Sequence, residues 1–174
     1  MAARGSAARQ YSVLIATILR FPEVASVSFD PFTHEIRTQF LVRRVLSGAD
    51  ADEVRARLAD ALAAYAALER KPEAIRDLVV AGRDGGVSTV TAHWRARDLE
   101  AAEIGLTVEF LRDHLGDDLL LDEEPASMGD EVGDEELYMG EELIAEKIAD
   151  LSRLRGERRL VACRDEGRLI VYHK

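Results

Sequence analysis

LVVAGRDGGVSTVTAHWRAR, residues 78–97, holds two runs of apolar residues separated by a turn at 82–86. Glycines in this turn permit the positive φ angles that a tight reversal needs. In the returning run, apolar and polar residues alternate: Val90, Ala92, Trp94 and Ala96 against Thr89, Thr91 and His93. Successive strand residues point to opposite faces of a sheet. The segment therefore predicts a β-hairpin with a buried inner face that includes Trp94 and an outer face that includes His93.

Residues 25–42 repeat this pattern around a different turn. Apolar and polar residues alternate over 25–30 and again over 35–42. Between these runs, Pro31 presets the backbone of the turn 30–34. Period two with one polar face is typical of a half-buried antiparallel hairpin. The two hairpins together predict an antiparallel sheet of at least four strands.

Helical periodicity precedes and follows the first hairpin. Apolar residues recur at i, i+3 and i+4 over 9–20, and Pro22 ends that helix because proline disfavours helical backbone in the preceding residue. A second apolar face runs through 51–70. Asp50 and Glu53 resemble a capping box at its start.

The third helix has two possible starts. Residues 98–103 are compatible with an early start, whereas Thr107 suits the role of a later N-cap. Glycine is a poor residue for a helix interior. Gly105 therefore favours the later start, and we expect a helix over 107–115.

The segment 116–142 concentrates the acidity of the chain. It carries a formal charge of −12 with no Lys or Arg, whereas the whole chain carries −10. Its first part is rich in polar and turn-forming residues, which predicts a linker at 117–133. Its second part predicts a helix from Asp134, whose acidic start suits the helix dipole. The linker is interpreted as a hinge and charge counterpart of the C-terminal region rather than as a metal site.

The predicted fold is α+β, with two layers in which an antiparallel sheet packs against helices. The expected organisation is a core domain at 1–116, the acidic linker at 117–133, and a helix plus β-hairpin appendage at 134–174. The hairpin strands are predicted at 159–164 and 168–173. Because an isolated hairpin is marginal in water, the appendage either extends the sheet or pairs with a second copy. A homodimer is the expected assembly.

Composition limits the classes of protein. The single cysteine, Cys163, excludes an intramolecular disulfide and fits a reducing compartment, so a cytoplasmic location is expected. No apolar run approaches the roughly 20 residues of a membrane span. A net negative chain repels phosphates, which makes nucleic acid an unlikely partner.

No motif assigns a catalytic, cofactor-binding or metal-ligating residue. The four histidines are far apart in the sequence, in different predicted elements: His34, His93, His114 and His173. Zinc-binding spacings, the EF-hand loop, the phosphate-binding loop and the nucleophile elbow are all missing from the sequence. No cofactor is therefore expected, and the chain is interpreted as more consistent with a binding protein than with an enzyme.

Two groups of residues are candidates for interaction. The first is the arginine cluster Arg153, Arg155, Arg158 and Arg159. The second is His93 with Trp94 and Arg95, which would line a groove on the sheet. The leading hypothesis is a non-enzymatic protein-binding or regulatory module. Alternatives are a small-ligand binder or enzyme that uses the groove, and a phosphate or nucleic-acid binder that uses the arginines.

Four segments carry a resemblance to a known fold: EIRTQFLVRR at 35–44, ADADEVRARLADALAAY at 49–65, the hairpin at 78–97, and IGLTVEFLRDHL at 104–115. In this order, residues 9–116 resemble the type III secretion chaperone-like fold, including the YbjN-type proteins. Members of that fold usually have one more strand after the first helix, and the C-terminal helix and hairpin lie outside the match. The resemblance implies a chaperone-like, often dimeric, non-catalytic protein that binds a protein partner.

Overall fold

The computed structural model describes residues 2–121, 140–156 and 158–174, and the side chains of 2–10, 141 and 142 lie outside its description. The elements, in chain order, are α1 Ala2–Arg20, β1 Val24–Asp30, β2 Glu35–Val42, α2 Gly48–Leu68, β3 Ile75–Arg83, β4 Val87–Arg95, α3 Ala101–Leu115, α4 Glu141–Leu151, β5 Leu160–Asp165 and β6 Arg168–His173. A single 3₁₀ turn, Gly116–Asp118, follows α3.

All six strands form one antiparallel sheet in the order β3-β4-β2-β1-β5-β6. The predicted α+β class is confirmed, and so are the predicted hairpins. The C-terminal hairpin extends the sheet of its own chain, because β5 pairs with β1 and places Leu160 opposite Phe29. The sequence left open whether the hairpin extends the sheet or pairs with a second copy. In the structure it extends the sheet.

One face of the sheet forms the core together with the helices. Trp94 is fully buried on this face, and its indole Nε1–H donates to Oγ1 of Thr38 at 3.0 Å. Helix α1 packs on β1 and β5, and α2 packs on β3. On α4, three apolar side chains are buried in the same core: Ile144, Ile148 and Leu151. The inner face predicted from the alternation in 78–97 is thus confirmed.

Helix α3 begins earlier than predicted. Its first residue is Ala101, and Thr107 lies buried in its interior, where its Oγ1–H donates to the carbonyl oxygen of Glu103 at 2.9 Å. The expected start at Thr107 is wrong because tertiary contacts outweigh the low helix propensity of glycine. Gly105 faces the ring of Phe21, and a Cβ atom built on it would lie 3.6 Å from Cε1 of that ring.

A buried ion pair fixes the start of α3. Oε2 of Glu103 accepts from the backbone N–H of Glu100 at 3.0 Å and from Nζ of Lys71 at 2.7 Å. Lys71 Nζ also donates to the carbonyl oxygen of Asp98 at 2.9 Å. The segment that follows α2 and the start of α3 are therefore joined by a buried ion pair whose groups are hydrogen-bonded.

Helix α2 also begins earlier than predicted. Its N-cap is Ser47, whose Oγ accepts from the backbone N–H of Asp50 at 3.1 Å. Asp50 thus lies in the first turn of the helix and is not the cap.

The predicted helix start at Asp134, and most of the predicted linker 117–133, lie outside the described residues. The division into core, linker and appendage stays a prediction.

An ion pair connects the turn after β1 to the chain before β5. Nη2 of Arg159 donates to Oδ2 of Asp30 at 2.8 Å. Oδ1 of Asp30 accepts from the backbone N–H of Phe32 at 3.0 Å. Burial alone would raise the pKa of Asp30, but the hydrogen bonds and the charge of Arg159 outweigh burial and hold this pKa below its ordinary value. The ionised carboxylate therefore stabilises the folded chain.

We expect Gly105→Ala to raise the free energy of unfolding by about 0.5–1 kcal/mol, because alanine loses less conformational freedom than glycine in a helix. The added methyl group meets Phe21 at an ordinary van der Waals distance, 3.6 Å. Urea denaturation followed by circular dichroism measures the change. Gly82→Ala in β3 is the control, because a Cβ atom there meets nothing within 4 Å. It shows whether an added methyl group outside a helix changes the free energy of unfolding by the same amount. A destabilised Gly105→Ala variant would contradict the packing described for α3.

We expect Asp30→Asn to lower the free energy of unfolding at pH 7 by about 1 kcal/mol, since the charge-assisted bond to the half-buried Arg159 is lost. Asparagine keeps an oxygen for the N–H of Phe32. Because the pKa of Asp30 is lowered on folding, its contribution is complete above the unfolded value of about 3.9 and is lost as pH falls through the folded value.

Denaturation between pH 7 and pH 2 measures this effect as the difference between the wild type and Asp30→Asn. The difference should be constant above about pH 5 and shrink below about pH 4. The matched control is Asp52→Asn, whose exposed pair with Arg55 is expected to contribute little. A difference that does not change with pH would refute the role of the Asp30 charge.

Candidate functional site

The four arginines of the predicted cluster have separate surroundings. Arg153 is exposed on the turn after α4, with its Nη1 3.9 Å from Oδ1 of Asp150. Arg159 is engaged by Asp30. Arg155 and Arg158 instead line a cavity to which Leu154 and Gly156 also contribute, beside strands β1 and β5. The structure thus brings two of the four arginines to one site.

The cavity has a volume of about 300 Å³. Its lining is mostly apolar and comes from three parts of the chain: Phe29, Pro31, Leu154, Arg155, Gly156, Arg158, Leu160 and His173. Phe29 and Leu160 are opposite each other on β1 and β5, and their buried side chains belong to the core. Gly156 approaches Pro31 closely, since a Cβ atom built on it would lie 3.6 Å from Cγ of the proline. The cavity is therefore a cleft in the core surface with arginines among its lining.

The electrostatic character of the cavity follows from the ion pairs around it. Among the described residues, no carboxylate pairs with Arg155 or Arg158. Asp30 lies next to the lining residue Pro31, but its carboxylate is occupied by Arg159 and by backbone N–H groups. Two guanidinium groups thus remain without a described acidic partner beside an apolar floor.

His93 takes part in a different cluster, on the face of the sheet opposite the core. Its Nδ1 lies 2.9 Å from Oε1 of Glu35, and the same oxygen accepts from Nε of Arg37 at 2.6 Å. Arg76 lies 3.7 Å from the other carboxylate oxygen. Burial would raise the pKa of Glu35, but the hydrogen bonds from Arg37 and His93 outweigh it and lower this pKa.

The predicted groove of His93, Trp94 and Arg95 does not form. Trp94 is fully buried on the core face, whereas His93 lies on the opposite face, as strand alternation requires. Nη1 of Arg95 donates to the carbonyl oxygen of Glu73, which precedes the start of β3, at 2.6 Å. The three side chains therefore have three different environments and line no common site.

The remaining chemically active groups are dispersed. Cys163 is half-buried, and burial followed by the charge of Asp165 raises the pKa of its thiol, which disfavours the reactive thiolate. His34 lies near Phe29, and His114 stacks on Phe110. Within the described ranges, no group of three or more His, Cys, Asp or Glu residues is arranged to hold a metal ion. The geometry of these residues provides no catalytic constellation.

The face of the sheet opposite the core, called the open face below, is crossed by two rows of paired residues. One row is Asp77, His93, Arg37, Ser28, Val161 and Tyr172, and the other is Val79, Thr91, Gln39, Ser26, Cys163 and Ile170. Both rows are polar in the middle strands and apolar at β5 and β6. Ile170 and Tyr172 are 38% and 43% exposed. The apolar end of the open face thus lies at an edge of the sheet.

The outer edge of β6 has backbone groups that no described strand pairs with. Arg159 and Lys174 exchange both backbone hydrogen bonds, at 3.0 and 2.8 Å. In an antiparallel ladder, hydrogen-bonded pairs alternate with non-hydrogen-bonded pairs. The backbone N–H and C=O groups of Tyr172 and Ile170 therefore also point toward β5. The N–H and C=O groups of the alternate residues Leu169, Val171 and His173 therefore point away from β5. Within the part of the chain that the structure describes, no strand pairs with this edge.

Sequence reasoning did not single out this edge. The signal was present in RLIVYH, residues 168–173, where apolar residues occur on both faces of the strand. An edge position is recognised only when the neighbours of the strand are known. The apolar pattern alone is equally compatible with a strand in the middle of a sheet.

Among the described residues, no helix is both long and apolar enough to cross a membrane. No family model matches the chain, and comparisons with curated proteins and with solved structures found no similar protein.

Proposed function

We propose that this protein is a non-enzymatic protein-binding module of a reducing compartment such as the cytoplasm, and that it binds an extended segment of a partner protein by strand addition to β6. The observation that carries the proposal is the outer edge of β6, with which no strand of the described residues pairs and which has apolar side chains on both faces. An exposed sheet edge is a template for another chain, since its backbone groups supply hydrogen bonds to any extended segment.

The side chains of β6 define the chemistry of the partner. Ile170 and Tyr172 are exposed on the open face, and Leu169 and Val171 are half-buried against the core. A segment added beside β6 would place alternate side chains next to each of these pairs. The preferred partner segment is therefore extended and apolar at both faces, with a β-branched or aromatic residue beside Tyr172.

The opposite edge of the sheet is less suited to this role. Strand β3 has an irregular register between Ile75 and Asp77, and it carries Arg76, Asp77 and Arg83 at exposed positions. Bulges and charges are the features by which proteins protect an edge from pairing. The asymmetry between the two edges supports β6 as the binding edge.

The second copy of the chain is a special case of such a partner. The sequence favoured a homodimer because the C-terminal hairpin needed a surface on which to dock, and β1 now provides that surface. A homodimer stays a proposal, in which two β6 strands pair across a twofold axis. The resemblance to the chaperone-like fold likewise stays a prediction, and it is compatible with binding to a protein partner.

We expect short peptides selected by display on the full-length protein to be extended and apolar, and to bind at β6. Val171→Pro should weaken their binding roughly tenfold or more, because proline removes an outward N–H group without removing a hydrogen bond to β5. NMR chemical shifts of backbone amides locate the site, and fluorescence anisotropy of labelled peptides measures the affinity.

The matched control is Val171→Thr, which has a similar shape and keeps the N–H group, and it should retain most of the affinity. Tyr172→Lys tests the side-chain contribution at the open face independently of the backbone. Thermal melting verifies that each variant is folded. Selected peptides that bind Val171→Pro as tightly as the wild type, or that shift only amides outside β5 and β6, would overturn the proposal. Light scattering of the free protein decides whether a second copy occupies the edge.

A further inference from the structure

We infer that the cavity beneath Arg155 and Arg158 binds a small organic anion with a carboxylate head and a short apolar body. This inference is independent of strand addition at β6. Its basis is the combination of an apolar floor with cationic side chains that no described acid neutralises. Ligand sites are usually concave and apolar, with a few polar groups that fix orientation.

The floor explains the apolar body. Phe29 and Leu160 are buried core residues, and Leu154 and Pro31 complete the apolar lining. Each CH₂ group that becomes fully buried in the cavity would contribute about 0.8 kcal/mol. The volume of about 300 Å³ lies at the lower limit for ligand pockets, which restricts the body to a short chain or a single ring.

The arginines explain the carboxylate head. A guanidinium group presents N–H donors in a planar fork that matches a carboxylate, and Arg155 and Arg158 are both exposed at the cavity. Asp30 does not compete, because Arg159 holds it. A free phosphate would use the same donors but would gain nothing from the floor. The apolar lining therefore favours a carboxylate on a hydrocarbon body over inorganic phosphate.

Gly156 is a position in the cavity lining at which a side chain can be added. Its missing side chain lies against Pro31, where a Cβ atom would sit at 3.6 and 3.7 Å from the ring, and its φ angle is outside the region that favours glycine. The backbone at this position can therefore accept a larger residue. The added side chain would start from the lining of the cavity. Gly156→Leu is thus a variant that fills the site without altering its charges.

The test uses the full-length protein and four probes: octanoate, octan-1-ol, acetate and inorganic phosphate. Isothermal titration calorimetry at low ionic strength measures each affinity. Octanoate should bind about tenfold more tightly than octan-1-ol, because only the anion reaches the arginines, and far more tightly than acetate or phosphate. Arg158→Ala and Arg155→Ala should each weaken octanoate binding about fivefold or more.

Arg153→Ala is the matched control, since this neighbouring arginine is 81% exposed and does not line the cavity. It should leave octanoate binding unchanged, whereas Gly156→Leu should abolish it. Val171→Pro should also retain octanoate binding, which separates this site from strand addition. Equal affinities for octanoate and octan-1-ol would overturn the inference. So would phosphate binding as tight as that of octanoate, or unchanged octanoate binding by a folded Gly156→Leu variant.

Discussion

The pairing of β1 with β5 is the contact on which the rest of the structure depends. On one side, strand β1 pairs with β2, its neighbour in the chain. On the other side it pairs with β5, which lies more than one hundred residues later in the sequence. This second pairing places Arg159 beside Asp30 and brings Arg155 and Arg158 to the same cavity as Phe29. It also makes β6 the outer edge of the sheet. The cavity and the edge position of β6 among the described strands are therefore two consequences of one long-range ladder.

The hairpins were predictable because their determinants are local. The turns at 30–34 and 82–86 and the alternation beside them suffice to specify which residues point inward. The start of α3 was not predictable in this way. Gly105 is tolerated because Phe21 packs against it, and Glu103 is held by Lys71 more than thirty residues earlier. Such contacts outweigh propensity, and no local pattern reports them.

At the candidate site too, the sequence indicated individual residues but not the distant residues that surround them. Sequence reasoning identified Arg155 and Arg158 as residues for interaction, but their surroundings depend on Phe29 and Pro31 in another part of the chain. It also grouped His93 with Trp94 and Arg95 as the lining of one groove. Strand geometry separates adjacent residues to opposite faces, so that grouping joined a core residue to a surface one.

The charges of the open face explain why binding is assigned to its end rather than to its middle. In the middle strands, Glu35 is already satisfied by Arg37 and His93, so a partner placed there would have to desolvate paired charges without gaining new ones. At β5 and β6 the same rows end in Val161, Ile170 and Tyr172, where burial costs no ion pair. The backbone groups of β6 that pair with no described strand lie at this same end, so apolar burial and hydrogen bonding favour the same partner geometry. An extended segment aligned with β6 satisfies both.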